Sequence, residues 1–166
     1  GLRVITMTLY KNKYRVESIR LPNQDYAANG WYFVTICTQQ KIHYFGNIIN
    51  TEMQRSPIGE IAQKFWAEIP QHFSFAYIDR YIIMPNHLHG IIIIHESLKP
   101  ISEIIRGFKT FSARQINKSL DRKGCPLWQR NYYEHIIRNE DELNNVRQYI
   151  LNNPTNWQED KNNINP

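Results

Sequence analysis

Apolar and polar positions alternate along this chain with two different periods. Residues 31–38 (WYFVTICT) are aromatic and β-branched, the composition of a strand. From residue 58, Ile58, Ile61, Ala62, Phe65, Trp66 and Ile69 recur every three or four positions, which predicts an amphipathic helix. Ser56 suits its cap, Pro57 its first position, and Pro70 its end. Residues 73–84 read as a second strand, Pro85-Asn86 as a turn, and residues 88–94 as a third strand. The unbroken isoleucines at 91–94 predict burial on both faces. Ser102 is placed to cap a second helix, with Ile104, Ile105, Phe108 and Phe111 toward the sheet. Residues 127–138 look extended. A last helix is expected from about Asn139, with Glu142 placed to complete a capping box. Leu143, Val146 and Ile150 line its apolar face, and Pro154 closes it. The chain also suggests a short strand at 16–21, a hairpin partner or irregular extension at 42–49, and a frayed polar tail from Thr155.

The order of elements is strand, helix, strand, strand, helix, strand, then one more helix. That order predicts an α+β fold: a ferredoxin-like split β-α-β antiparallel sheet with helices on one face and an additional C-terminal helix. A chain of 166 residues supports one core, so a single domain over 1–166 is expected, with its core at about 14–157. The 42% apolar content excludes a disordered chain. A net charge of +5 with 13% aromatic residues suits single-stranded nucleic acid, where rings stack on bases and cations meet phosphates. Two cysteines, Cys37 and Cys125, form no disulfide framework. No leader or membrane span is legible, so a cytoplasmic setting is expected, with nucleoid association during action.

Candidate chemistry begins at His87-Leu88-His89. Residues two apart on a strand share a face, roughly 6.6 Å apart. Both imidazoles can therefore aim at one point while Leu88 enters the other face, and imidazole nitrogens ligate divalent metals. The bland alternative is two unrelated surface histidines; His135 could face the same site. On the last helix, Tyr149 and Asn153 are four apart and share a face. A tyrosine there can attack phosphorus beside a metal, and Asn153 can offer a side-chain carbonyl oxygen. Spacing alone does not choose Tyr149 over Tyr132 or Tyr133, and Tyr149 could equally be a core residue.

Three blocks taken in order resemble a known family: Met84-Pro85-Asn86-His87-Leu88-His89-Gly90, the stretch 127–138 (LWQRNYYEHIIR), and Tyr149-Ile150-Leu151-Asn152-Asn153-Pro154. With the strand at 31–38, they resemble the HUH single-tyrosine transposases, and most closely the REP-associated tyrosine transposases of bacteria. The resemblance implies that His87 and His89 are paired metal ligands, that Tyr149 is the nucleophile, and that Asn153 lies near the metal, which would be Mg²⁺ or Mn²⁺. It implies a DNA-cleaving and joining enzyme acting on single-stranded DNA beside palindromic repeat hairpins, through a 5′-phosphotyrosine bond and a free 3′-OH. It is compatible with a monomer or a homodimer.

Cations that could meet the DNA backbone fall in two groups. Arg106, Lys109, Arg114 and Lys118 lie on the polar side of the second helix, and Lys11, Lys13, Arg15 and Arg20 lie near the N-terminus. Arg130 and Asn131 are candidates for base contact, as are Asn23 and Gln24. The competing reading is a non-cleaving single-stranded nucleic-acid-binding module. It would present Trp31, Tyr32 and Phe33 as surface platforms and leave Tyr149 buried.

Overall fold

Strict alternation on the central strands sorts the molecule into two faces. In the computed structural model, which describes residues 28–164, strand β1 spans Gly30–Cys37. Strand β4 spans Ala76–Met84 and β5 spans His87–Ile94. Strand β6 is Tyr133–Ile137. These four form one antiparallel sheet in the order β4-β5-β1-β6, the ferredoxin-like arrangement. The predicted strand at 16–21, and Lys11, Lys13, Arg15, Arg20, Asn23 and Gln24, lie outside the described residues.

On one face, Tyr32, Val34 and Ile36 of β1 and Leu88, Ile92 and Ile94 of β5 meet two helices. Helix α1 is Pro57–Ala67, and α3 is Ile101–Ser119. Ser56 caps α1 by accepting the Gly59 N–H at 3.0 Å, as its position in the sequence predicts. Gly90 lies on this face because a Cβ there would sit 2.4 Å from the Trp66 ring. The opposite face carries Trp31, Ile91 and Ile93, covered by Leu143 and Ile150 of helix α4, Glu140–Asn152. The expected extra helix therefore packs on the sheet face away from α1 and α3.

Several local expectations give way to packing. Helix α3 begins at Ile101 behind Pro100, with no side-chain cap; Ser102 is not the cap, because Ile101 is drawn into the core. Phe111 is exposed beside His72 instead of facing the sheet. Pro70 does not simply stop α1: a one-turn helix α2, Ile69–His72, contains it. Residues 46–55 form a separate hairpin of β2 (Gly46–Ile49) and β3 (Glu52–Arg55). Only the last part of 127–138 is a strand in the sheet, while Trp128 makes an isolated bridge to Thr38. Asn139 does cap α4, accepting the Glu142 N–H at 2.8 Å, but the Glu142 carboxylate turns to His135 instead of closing a capping box.

Leu88 and Ile91 to Ile94 are all fully buried. Fully burying each such side chain is worth about 1.5–3 kcal/mol, so β5 is an expensive strand to displace. Groups at its first residues are held correspondingly rigidly.

Candidate functional site

The site begins where β5 begins. The turn at Pro85-Asn86 delivers His87 and His89 onto the α4 face of the sheet, and Leu88 enters the main core between them. The two rings meet nearly edge to face with centroids 4.7 Å apart. Both are buried, at 0% and 3% exposure.

Neighbouring side chains orient each ring. Asn86 donates through Nδ2 to the carbonyls of Lys41 (3.1 Å) and Asn162 (2.7 Å). Those two acceptors fix its amide orientation, so Oδ1 faces His87 Nδ1 at 2.8 Å. An amide oxygen cannot donate, so His87 Nδ1 carries the proton and Nε2 carries the lone pair. The Thr35 hydroxyl lies 2.7 Å from His89 Nδ1, from the residue directly opposite on β1. Carboxamides and hydroxyls placed this way commonly set the tautomer and orientation of metal-binding histidines.

Burial pushes the His87 pKa down to about 4; the Asp160 carboxylate and Asn153 oppose that shift, while Lys41 and His43 add to it. Burial, then the neighbouring His87, holds His89 well below its ordinary value as well. Both rings are thus neutral at pH 7 and can donate nitrogen lone pairs. His87 Nε2, His89 Nε2 and Asn153 Oδ1 are all buried without a hydrogen-bond partner. Asn153 lies close enough to favour both protonated rings, yet its oxygen lacks hydrogen-bond alignment with either. Three buried lone-pair bearers on one face without a protein donor are a costly arrangement unless a cation or water joins them. Two nitrogens and an amide oxygen suit a divalent ion such as Mn²⁺ or Mg²⁺. Among the described residues, no three His, Cys, Asp or Glu side chains are grouped closely enough to hold a metal without Asn153.

Tyr149 stands beside this trio. Its ring centroid is 5.2 Å from His89 and 5.9 Å from Phe33, and the residue is 51% exposed. It is therefore no core residue. Its aromatic neighbours support one side of the ring, and its other side opens to a cavity of about 570 Å³ shared with Lys41, Gln129, Asn131 and Lys161. Of the rival tyrosines, Tyr132 is partly buried with the Lys109 ammonium 5.5 Å from its ring centroid. Tyr133 packs on Phe33. Both reach the cavity, but neither contacts the imidazoles as Tyr149 does. His135 pairs with Glu142 at the start of α4.

Helix α4 is held to the sheet by a buried ion pair. Arg147 Nε donates to Asp79 Oδ2 at 3.0 Å and its NH2 group meets the same oxygen. The guanidinium also lies 5.8 Å from the Trp31 ring centroid. This clamp is two residues from Tyr149.

The chain after α4 is not frayed. It turns back so that Trp157 stacks on His87, with centroids 6.1 Å apart, and packs against His43. Asn162 is buried where it receives Asn86. Asp160 Oδ2 comes within 4.0 Å of His87 Nε2. Nothing in a polar tail signals these contacts; Trp157 is its one aromatic residue.

Comparison with known proteins identifies the family. The family model described as "Transposase IS200 like" matches residues 27–153. An uncharacterised protein of Haemophilus influenzae is 40% identical over 168 residues, covering 87% of this chain and 91% of that one. A second H. influenzae protein, assigned as a REP-associated tyrosine transposase, is 26% identical over 140 residues, 79% of this chain and 73% of that one. The chain belongs to the IS200-like family of REP-associated tyrosine (HUH) transposases. Two solved structures share the fold of this transposase. One is a REP-associated tyrosine transposase bound to a REP hairpin, with TM-score 0.59, 20% identity, and 82% and 73% of the two chains covered. The other is a Deinococcus radiodurans protein assigned as a transposase, with TM-score 0.54, 16% identity, and 80% and 96% covered.

The transposase distributes its candidate DNA-contact residues unevenly. Arg114 and Lys118 border an open basin of about 670 Å³ at the end of α3, together with Arg122 and Lys123, which the sequence reading did not select. Arg106 is exposed on the same helix. Lys109 is committed inside the protein: its ammonium donates to the carbonyls of Gln129 (2.9 Å) and Arg130 (3.1 Å), and burial lowers its pKa. It fixes the loop that carries Arg130 and Asn131, of which Asn131 lines the cavity beside Tyr149. No helix among the described residues is long and apolar enough to cross a membrane.

Proposed function

We propose that this transposase is a metal-dependent endonuclease and strand transferase that cuts single-stranded DNA beside repeat hairpins through a covalent tyrosine link. One observation carries the proposal: the unsatisfied His87, His89 and Asn153 atoms and the exposed Tyr149 ring meet on one sheet face beside one cavity. A relative of the same fold is bound to a REP hairpin, which supports that class of substrate.

His87, His89 and Asn153 would hold Mg²⁺ or Mn²⁺, which supplies positive charge to a scissile phosphate and to the departing oxygen. Lys41 and Lys161, on the cavity wall, add positive charge for the phosphate entering it. Tyr149 Oη attacks phosphorus and forms a 5′-phosphotyrosine bond. The bond from phosphorus to the 3′ oxygen breaks, and that oxygen leaves as a 3′-OH after taking up a proton from solvent, while solvent accepts the phenol proton. Cleavage exchanges one phosphodiester for another, so attack by a 3′-OH reverses the step and rejoins DNA. Helix α4 packs on its own sheet through the Arg147–Asp79 pair, which favours Tyr149 acting within its own subunit.

The non-cleaving alternative fares less well. It requires Trp31 and Tyr32 as exposed stacking platforms, and they are 1% and 7% exposed. The test is incubation with labelled hairpin-bearing single-stranded DNA and Mn²⁺, followed by denaturing electrophoresis. Wild type should form a covalent protein–DNA adduct. Tyr149→Phe should form none while keeping DNA affinity within about twofold, because one hydroxyl adds little to a backbone-dominated interface. An adduct from Tyr149→Phe would show that the nucleophile is another residue.

A further inference from the structure

Helix α3 presents one face that takes no part in the core. Phe111, Arg114, Gln115 and Lys118 recur every three or four residues along it, and all four are exposed. The Phe111 ring meets that of His72 in α2 with centroids 5.7 Å apart. Phe65 of α1 joins them in lining a cleft of about 250 Å³, which Arg114 and Gln115 also border. Arg114 borders the 670 Å³ basin at the end of the helix as well. An aromatic cleft and a basic basin therefore meet at one guanidinium. Phe111 and Lys118, seven residues apart, are separated by roughly 10 Å along the helix axis.

The basin's charge is not neutralised within the protein. Arg122 is gripped by neutral groups: its Nε donates to Asn117 Oδ1 at 2.7 Å, and one Nη donates to the Tyr44 hydroxyl at 3.1 Å. Its guanidinium carbon lies 5.1 Å from the Tyr44 ring centroid. The other Nη has no hydrogen-bond partner among the described residues. Asp121 is the one acidic side chain on the basin wall, against Arg114, Lys118, Arg122 and Lys123. Such a surface complements phosphates, and rings beside it complement the faces of bases. A duplex offers the phosphates but keeps its bases stacked on one another, so the cleft selects an unpaired strand.

The loop between α3 and β6 joins this surface to the cavity beside Tyr149. Arg122, Lys123 and Gly124 line the basin, and Gln129, Asn131 and Tyr132 line the cavity. Gly124 and Gln129 are five residues apart, so their backbones lie within about 18 Å of each other. One DNA strand can reach both.

We propose that the outer face of α3 is a second DNA-binding surface of this transposase, on which an unpaired base stacks against Phe111 while neighbouring phosphates occupy the basin. The inference rests on the single-stranded DNA reading given above and is independent of the metal.

The test is fluorescence anisotropy of the full chain with two labelled DNAs, with a chelator present so that no strand is cut. One is a hairpin with an unpaired flank; the other is the same stem as a blunt duplex without loop or flank. Phe111→Ala should bind the flanked hairpin about 5-fold to 150-fold more weakly than wild type, the range for losing one stacked base. Phe111→Tyr, which keeps the ring, should bind it as wild type does. Neither variant should change affinity for the blunt duplex. Circular dichroism spectra that superimpose on wild type confirm that each is folded. A 5-iododeoxyuridine in the flank should crosslink to Phe111 on irradiation, read by peptide mass spectrometry. Wild-type affinity of Phe111→Ala for the flanked hairpin would overturn the proposal. So would an equal loss on both DNAs, because the face would then contact no unpaired base. If wild type binds neither DNA, the nucleic-acid reading beneath the proposal fails with it. A covalent adduct lost in Tyr149→Phe, beside unchanged binding by Phe111→Ala, would leave the cleavage reading standing and this surface refuted.

Discussion

Replacing Arg147 with methionine tests what keeps the tyrosine helix on the sheet. Arg147 and Asp79 have side chains only 6% and 5% exposed, and two guanidinium nitrogens reach the same carboxylate oxygen. Methionine fills much of the aliphatic volume but leaves the Asp79 carboxylate buried with a single remaining hydrogen bond, the Arg80 N–H at 2.7 Å. Removing one partner of such a pair costs about 3–5 kcal/mol, whereas replacing both with apolar groups is often neutral or stabilising by about 1–4 kcal/mol. The Arg147 contact with Trp31 adds a cation–π share of up to about 2 kcal/mol to the single-variant loss. At about 2–4 °C per kcal/mol for a chain of this size, Arg147→Met should melt about 6–28 °C below wild type. Asp79→Leu with Arg147→Met should regain most of that loss. Urea unfolding followed by circular dichroism measures both, and adduct formation on hairpin DNA should fall with the single variant and return with the double. If the single variant unfolds at the wild-type urea concentration, or the double is no more stable than the single, the pair does not clamp α4 as argued.

Other positions give sharper, smaller tests. Gly90→Ala would put a methyl 2.4 Å from the Trp66 ring, and such overpacking should lower stability by about 1–3 kcal/mol in urea titration. With His87 lowered to about 4 by burial, metal-free stability should be full above pH 6.5, fall as the unfolded chain takes up protons the folded ring refuses, and level off below about pH 4. The loss is about 3 kcal/mol, read as the difference in pH dependence between wild type and His87→Leu with a chelator present; identical profiles would refute it. Arg114→Ala and Lys118→Ala should each reduce the slope of log affinity against log salt by about 1, if the basin at the end of α3 meets phosphates. Lys109→Met should instead leave that slope unchanged and lower the melting temperature, because its ammonium bonds backbone carbonyls.

Periodicity made the sheet legible, and with it half of the site. A two-residue period on a strand forces His87 and His89 to one side, and a four-residue spacing on a helix aligns Tyr149 with Asn153. What escaped were contacts that have no period. Asn86 and Asn162 are 76 positions apart, and their hydrogen bond exists only because the tail folds back across the histidines. Asp79 and Arg147, 68 apart, read separately as ordinary charged residues of a strand and a helix. Lys109 shows the same limit from the other direction. Its place among Arg106, Arg114 and Lys118 reads as one basic face, yet its flexible stem carries the ammonium to the loop at 129–131. Ser102 had the right chemistry for a cap, but burial of Ile101 set the helix start instead.

The alternation on β5 explains how a site of unsatisfied polar atoms persists in the middle of a stable sheet. Leu88, Ile92 and Ile94 anchor the strand in the larger core, with Gly90 letting Trp66 close against it. Ile91 and Ile93 anchor it again beneath α4. The apolar burial therefore lies on both sides of the strand, while the polar cost is confined to the two residues at its entrance. Stability and chemistry are separable for that reason: truncating a histidine removes a lone pair and relieves a buried polar group, whereas truncating Leu88 between them removes core. His89→Ala should thus retain far more stability than Leu88→Ala, which should lose about 2–5 kcal/mol in urea titration despite lying one residue away. Equal losses at the two positions would mean that the imidazoles are themselves part of what holds the sheet together.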